Sequence, residues 1–273
     1  LVATPDTLVP HPIGVFDSGV GGLSILRALR AKLPQEDFVY FADSGHAPYG
    51  ERDDAHVIAR SRSIAQHLRA RHCVKALVIA CNTATAAAVH VLRSEHPDLP
   101  IIGVEPALKP AVSVSRTKRI GVMATRGTLS SAKFHALLQS LHGLAEFVLQ
   151  PCAGLADAIE RHDTQQVAAL CAMYTQKMGR FGTGPGQIDT LVLGCTHYPF
   201  ALEPLCALLG HDVQFIETGE PVARHTHQLL QTRHVPLRAP LAQHSGQRST
   251  GQLLLLSSGA IAVLEIAAKR WLP

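Results

Sequence analysis

Two cysteines give the first indication of chemistry. Cys81 stands in ALVIACNT (76–83) and Cys195 in TLVLGCTH (190–197). Each segment reads as an apolar strand, a small residue, a cysteine and two polar residues. A thiol at the end of a strand and the start of a helix meets free backbone N–H groups and the positive end of the helix dipole, which favour the thiolate. A thiolate can serve as a general base near neutral pH. Two such thiols on facing lobes could address opposite faces of one carbon. One would take a proton and the other would supply one, inverting a stereocentre. A single cysteine is more often a small buried hydrophobe. Two at equivalent points of a repeat, followed by Asn-Thr and Thr-His, shift the balance toward chemistry.

The elements that must hold these thiols alternate between strand and helix. Short apolar runs at 13–16, 38–41, 76–79 and 101–104 predict buried strands. Helical patterns lie between them, at 23–33, 54–71 and through CNTATAAAVHVLRSE. The order then recurs, with strands at 119–123, 147–149, 191–194 and 213–216 and a long helical region at about 154–179. IGVFDSGVGG (13–22) and IGVMATRGT (120–128) repeat at a spacing close to that of the two cysteine segments. Such a repeat predicts an α/β fold of two similar lobes, each a parallel-rich sheet flanked by helices. The expected division is 1–105 with 217–273 returning to it, and 106–216. Ligands in such sheets bind at the carboxyl ends of strands. Both cysteines fall there, each expected just before a helix, so the site belongs in the cleft between the lobes. A helix at 221–230, a strand at 253–256 and a helix at 260–270 close the chain; 1–11 reads as a loose tail, and 231–252 resists assignment.

Composition narrows the classes. The chain has 273 residues, 47% hydrophobic and 17% charged, enough for a sizeable core. The net charge is +4, spread over scattered arginines without interleaved aromatics, so no nucleic-acid footprint is visible. The six cysteines form no CxxC pair, which argues against a zinc ribbon or a thioredoxin-type site. No metal site is expected. No apolar run reaches membrane-spanning length and no signal peptide is visible, so the expected compartment is the cytoplasm.

Five segments together carry a resemblance: FDSGVGG (16–22), ADSGHAPYG (42–50), CNTAT (81–85), ATRGT (124–128) and GCTHYP (194–199). Their content and order, from about residue 13 to 222, resemble the glutamate racemases of the aspartate/glutamate racemase family. The resemblance implies reversible interconversion of L- and D-glutamate, supply of D-glutamate for peptidoglycan, no cofactor, and commonly a homodimer. It further implies that Cys81 and Cys195 are the catalytic thiols, with Asp17 beside the first and His197 and Glu160 serving the second. Cys195 would take the proton from L-glutamate and Cys81 from D-glutamate. Asp17, Ser18, Pro48, Tyr49, Gly50, Asn82, Thr83, Thr128, Thr196 and His197 match substrate contacts. Thr85 stands where the family commonly has Ser, and ETGEP (217–221) where Asp-Ser or Asp-Pro is commoner, so Glu217 carries no site assignment.

Each of these residues also has a plainer reading. Asp17 is placed to cap the helix after it, and Asn82, Thr83 and Thr196 fit capping equally well. Tyr49 and Gly50 read as a surface loop. DSGVGGLS is a poor dinucleotide fingerprint, because Ser24 takes the third glycine position; its expected use is to bring backbone N–H groups to a carboxylate. Glu160 on a helix would ordinarily be solvated. None of the seven lysines lies in a site motif, which argues against a pyridoxal Schiff base. The competing functions are an aspartate or hydantoin racemase of the same superfamily and a noncatalytic metabolite-binding α/β protein.

Overall fold

The computed structural model describes residues 11–238 and 250–272. Residues 1–10 of the expected tail, and 239–249 of the 231–252 stretch, lie outside them. Two wholly parallel sheets form the frame. The first contains β1 (Ile13–Asp17), β2 (Phe38–Ala42), β3 (Ala76–Ile79), β4 (Ile101–Gly103) and β9 (Leu253–Ser257), in the order β4-β3-β1-β2-β9. The second contains β5 (Arg119–Ala124), β6 (Glu146–Pro151), β7 (Thr190–Leu193) and β8 (Gln214–Ile216), in the order β6-β5-β7-β8. Read from the other edge, the second order is that of the first four strands. β1 and β3 are buried along their whole length, which is why they appear in sequence as unbroken apolar runs rather than alternating ones.

The repeat extends to the register. Ile13 pairs with Phe38 on one side and Ala76 on the other; Ile120 pairs with Phe147 and Thr190. Gly14 and Gly121 follow these isoleucines and do the same job. A Cβ on Gly14 would lie 3.0 Å from Val74 and 3.3 Å from Leu77; on Gly121 it would lie 2.6 Å from Met178 and 2.9 Å from Leu191. The missing side chain leaves room for Val74 and Leu77 against one central strand, and for Met178 and Leu191 against the other.

The helices cover both sheets: α1 (Leu23–Lys32), α2 (Asp54–His72), α3 (Asn82–Glu95), α4 (Leu108–Val114), α5 (Arg126–Ser130), α6 (Ala132–Gln139), α7 (Leu155–Glu160), α8 (Thr164–Met178), α9 (Leu202–Leu209), α10 (Gly219–Thr232) and α11 (Ile261–Trp271). Two apolar clusters sit on the faces of the first sheet and two on the second. α10, β9 and α11 return to the first lobe, with α10 packed on α1. Trp271 stacks on Phe200 at 4.2 Å between ring centroids, tying the end of the chain to the second lobe.

Four local readings need correction. The region 154–179 is two helices, α7 and α8. His162 adopts a left-handed φ of 57°, and Asp163 caps α8 by accepting from Gln166 N–H at 3.0 Å. Cys195 does not open an α-helix. It sits in a bend followed by a short 3₁₀ turn, Tyr198–Ala201, and α9 begins only after it. Tyr49 and Gly50 are in a 3₁₀ turn with the Tyr49 ring buried, not on a free loop. α4 was not anticipated; Pro110 stands in its first turn, where the missing N–H has no intrahelical partner to lose.

Candidate active site

β3 and β7 occupy matching places in the two sheets, and a cysteine follows each at its carboxyl end. Cys81 and Cys195 line one cleft of about 570 Å³ together with Ser18, Pro48, Tyr49, Gly50, Asn82, Thr83, Glu160, Thr196 and His197. That volume is within the usual range for small-molecule sites. Both thiols are nearly buried. Eleven of the thirteen sequence-derived candidates are thus at hand in one place; the exceptions are Asp17 and Thr128.

Cys81 is the N-cap of α3, and its Sγ accepts from Ala84 N–H at 3.4 Å. Ser18 Oγ lies 3.8 Å from the sulfur. The helix terminus therefore does favour the thiolate at Cys81, as the spacing suggested. Burial nevertheless holds the thiol well above its ordinary value, and the negative charge of Asp17 adds to this. A thiol so placed is a reluctant acid, suited to holding a proton until a substrate changes its surroundings.

Asp17 ends β1 with no exposed surface and stands behind the cleft rather than in its wall. Its Oδ2 accepts from Gly22 N–H at 2.9 Å and Gly19 N–H at 3.3 Å, and its Oδ1 accepts from the Thr196 hydroxyl at 3.4 Å. Burial raises its pKa; His197 and the two amides work against that rise.

Cys195 faces a different set of groups. Its Sγ is 3.8 Å from His197 Nδ1, and His197 Nε2 is 2.9 Å from Glu160 Oε2. Burial alone would discharge His197, but its bonds to Cys195 and Glu160 outweigh burial and hold its pKa well above the ordinary value. Glu160 is buried too, a cost that would raise its pKa. His197, Val20 N–H and the Ser44 hydroxyl reverse the sign and keep it lowered. The result is an imidazolium–carboxylate pair beside one thiol and a carboxyl group behind the other.

The glycine-rich loop has a use the sequence did not suggest. A Cβ on Gly19 would fall 2.3 Å from Glu160 Oε2, and one on Gly21 would fall 2.2 Å from His197 Nδ1. The loop is bare where Glu160 and His197 of the second lobe enter. Its amides do meet carboxylates, but those of Asp17 and Glu160.

On the first lobe a charged knot supports the cleft wall. Arg60 grips Asp43 with Nε at 2.9 Å and a terminal nitrogen at 2.8 Å, and the Tyr49 hydroxyl donates to the same carboxylate. Burial works against the Asp43 charge, yet Arg60 and Tyr49 keep its pKa lowered. Asp43, Ser44 and Arg60 escaped the sequence reading, as did Thr125 and Cys152, which line the cleft. Only ADSGH, within a quoted motif, pointed to the first two. Thr83 and Thr125 place their hydroxyl oxygens 3.1 Å apart across the lobes. Thr128 does not face this cleft. Its hydroxyl is 3.0 Å from Thr125 Oγ1, and it borders a small neighbouring cavity. Asn82 is almost fully buried, and neither its Oδ1 nor its Nδ2 has a partner. An unpaired buried amide is costly, and one lining a cleft is a place for a ligand to bond.

Among the described residues, no group of three or more His, Cys, Asp or Glu is placed to hold a metal, and no helix is long and apolar enough to cross a membrane.

Comparison with known proteins shows the family and the fold. Residues 23–226 match the Asp/Glu/Hydantoin racemase family. A glutamate racemase of Ralstonia nicotianae is 47% identical over 259 residues, covering 94% of this chain and 91% of that protein. One of Ectopseudomonas mendocina is 47% identical over 244 residues, covering 89% and 90%. Among solved structures, glutamate racemase isoform RacE1 of Bacillus anthracis superimposes with a TM-score of 0.80 at 31% identity, covering 96% of this chain and 94% of that one. The Escherichia coli glutamate racemase, solved with L-glutamate and the activator UDP-MurNAc-Ala, gives 0.78 at 27% identity and covers 96% of each chain. With family, relatives and two-lobed fold in agreement, the chain is an amino-acid racemase belonging to the Asp/Glu/Hydantoin racemase family, among its glutamate racemases.

Proposed function

We propose that this racemase interconverts L- and D-glutamate by proton transfer between two bases, Cys81 and Cys195, without a cofactor. The observation that carries the reading is the convergence of both thiols on one cleft from matching strand ends in opposite lobes. With L-glutamate bound, the Cys195 thiolate takes the Cα proton. The electron pair left on Cα is delocalised into the α-carboxylate. The Cys81 thiol then gives its proton to the opposite face, leaving Cys81 as thiolate and Cys195 as thiol. The reverse reaction starts at Cys81 with D-glutamate.

His197, kept protonated by Glu160, stabilises the Cys195 thiolate by charge. Asp17 acts on Cys81 from behind the cleft and orients Thr196. The unpaired Asn82 amide, with Ser18, Thr83 and Thr196, receives the polar groups of the substrate. Pro48, Tyr49 and Gly50 form the facing wall, and Thr128 acts through Thr125. No lysine is among the described residues lining the cleft, which supports a route without a pyridoxal Schiff base. We place the product, D-glutamate, in peptidoglycan synthesis in the cytoplasm, following the family resemblance. The lobe boundaries we propose lie near residues 105 and 216, where the chain passes between the sheets.

The test is incubation of the purified protein with each enantiomer of glutamate and of aspartate in heavy water, with circular dichroism and deuterium at Cα as readouts. Deuterium incorporation with loss of optical rotation for glutamate is the expected result. Faster turnover of aspartate would move the substrate assignment. Absence of exchange with all four would favour a binding protein.

A further inference from the structure

The Glu160 carboxylate is one of the places where the second lobe bonds to the first, beside the Thr196 contacts to Asp17 and Ser24 and the Thr83–Thr125 pair. Its Oε2 accepts from Val20 N–H at 2.8 Å, and its Oε1 accepts from the Ser44 hydroxyl at 2.9 Å. Both donors belong to the first lobe, Val20 in the loop after β1 and Ser44 in the turn after β2. The same Oε2 meets His197 Nε2 at 2.9 Å, and the other ring nitrogen of His197 faces Cys195. Each carboxylate oxygen offers about two acceptor sites. With Oε2 shared between Val20 and His197 and Oε1 held by Ser44, the plane of the carboxylate is fixed, and with it the imidazole. The bare Cα of Gly19 admits this arrangement.

We propose that Ser44 is a positioning residue for the proton relay of Cys195: with Val20 N–H it locks Glu160 against the first lobe, so that the line Glu160–His197–Cys195 is assembled only while the lobes are closed. The proposal rests on the two-thiol reading given above. Separating the lobes removes both first-lobe donors from Glu160 at once. The carboxylate is then free to turn away, and His197 loses the fixed acceptor that keeps it charged and aimed. Proton abstraction by Cys195 is thereby tied to closure of the cleft, where water is excluded. Cys81 is tethered more weakly: Ser18, Ala84 N–H and Asp17 all belong to its own lobe, and only Asp17 reaches the second, through the Thr196 hydroxyl at 3.4 Å.

The experiment is single-turnover exchange of the Cα hydrogen into heavy water from each enantiomer, using Ser44→Ala, Ser44→Thr, Glu160→Gln and the Ser44→Ala/Glu160→Gln double variant. Loss of one hydrogen bond to a buried carboxylate predicts roughly tenfold slower exchange from L-glutamate in Ser44→Ala. Exchange from D-glutamate falls by much less. Ser44→Thr keeps the hydroxyl and restores most of the rate. In the Glu160→Gln background Ser44→Ala adds less than about twofold, because residues acting through one another are not additive. A merely structural role would slow both enantiomers alike. Equal losses from both, or full additivity with Glu160→Gln, would overturn the proposal. Wild-type exchange from L-glutamate in Cys195→Ser would instead overturn the two-thiol reading beneath it.

Discussion

His197 bridges Glu160 and Cys195. Its Nε2 lies 2.9 Å from Glu160 Oε2 and its Nδ1 lies 3.8 Å from Cys195 Sγ. Among the described residues no equivalent bridge stands beside Cys81, whose charge partner is the buried Asp17 at the end of β1. The two lobes repeat in strand order and register, yet the groups that tune their thiols differ in kind.

That difference predicts an asymmetric response to pH. His197 has a raised pKa, so its charge is fully present below the ordinary histidine value and is lost as pH rises through the raised one. Glu160→Gln removes the negative partner while keeping the shape. The histidine pKa then falls, and the alkaline limb of kcat/KM for L-glutamate moves to lower pH. The rate near neutral pH drops on the order of 10²-fold, the low end for a positioned acid–base group. An unmoved alkaline limb would show that His197 does not depend on Glu160 for its charge.

Asp17→Asn acts on the other thiol. Burial is the main cause of the raised Cys81 pKa and Asp17 the next, so removing the carboxylate lowers the value. Alkylation of Cys81 should then begin at lower pH than in the parent enzyme. Peptide mapping after timed alkylation reads the effect. An unchanged alkylation profile would mean that Asp17 carries no charge in the folded protein.

Gly21→Ala tests the bare loop. Its Cβ would stand 2.2 Å from His197 Nδ1, so the imidazole must leave its place. We expect a loss of kcat of roughly 10²-fold, the scale for a displaced acid–base group, with near-native far-ultraviolet circular dichroism. Near-parental kcat would show that the loop gives way instead of the histidine.

Stability has its own carboxylate, away from the cleft. Asp189 accepts from the Ser115 and Thr190 hydroxyls at 2.6 and 2.9 Å and from Arg116 and Thr117 N–H at 2.6 and 3.0 Å. Burial would raise its pKa, but these donors hold it at about 2. Because the folded value is the lower one, the stabilisation is full above the unfolded carboxyl value near ~4 and is lost as pH falls toward 2. Asp189→Asn should cost about 1–3 kcal/mol at neutral pH and flatten the acid side of the stability curve, measured by urea unfolding at several pH values.

The legible parts of this molecule were those with a local cause. Buried parallel strands are apolar runs, so β1, β3, β5 and β7 stood out, and the repeat of Ile-Gly-Val and of the cysteine segments exposed the two lobes. The break between α7 and α8 was missed although Asp163 and Gln166 carry a capping signal, because the apolar pattern continues across it. Cys195 was expected to open a helix by analogy with Cys81; Pro199 stands in the 3₁₀ turn that intervenes. The grip of Arg60 on Asp43, the Thr83–Thr125 contact and the bond from Ser44 to Glu160 join residues far apart in the chain. Nothing local marks such pairs. Glu160 was found only through resemblance, whereas His197 was also marked by its place two residues after Cys195, and the need for Gly19 and Gly21 followed only once the lobes were seen to face each other.

The central claim is that two thiols on opposite faces of Cα perform the inversion. It is tested most directly by Cα exchange and circular dichroism with Cys81→Ser and Cys195→Ser, each enantiomer being run separately in heavy water. A hydroxyl is far less acidic than a thiol and cannot replace it as the base near neutral pH. Net racemisation should therefore fall by about 10²–10⁴-fold in each variant. Exchange without inversion should survive, if at all, only from the enantiomer facing the remaining thiol: D-glutamate in Cys195→Ser and L-glutamate in Cys81→Ser. Near-parental racemisation in either variant would contradict the account.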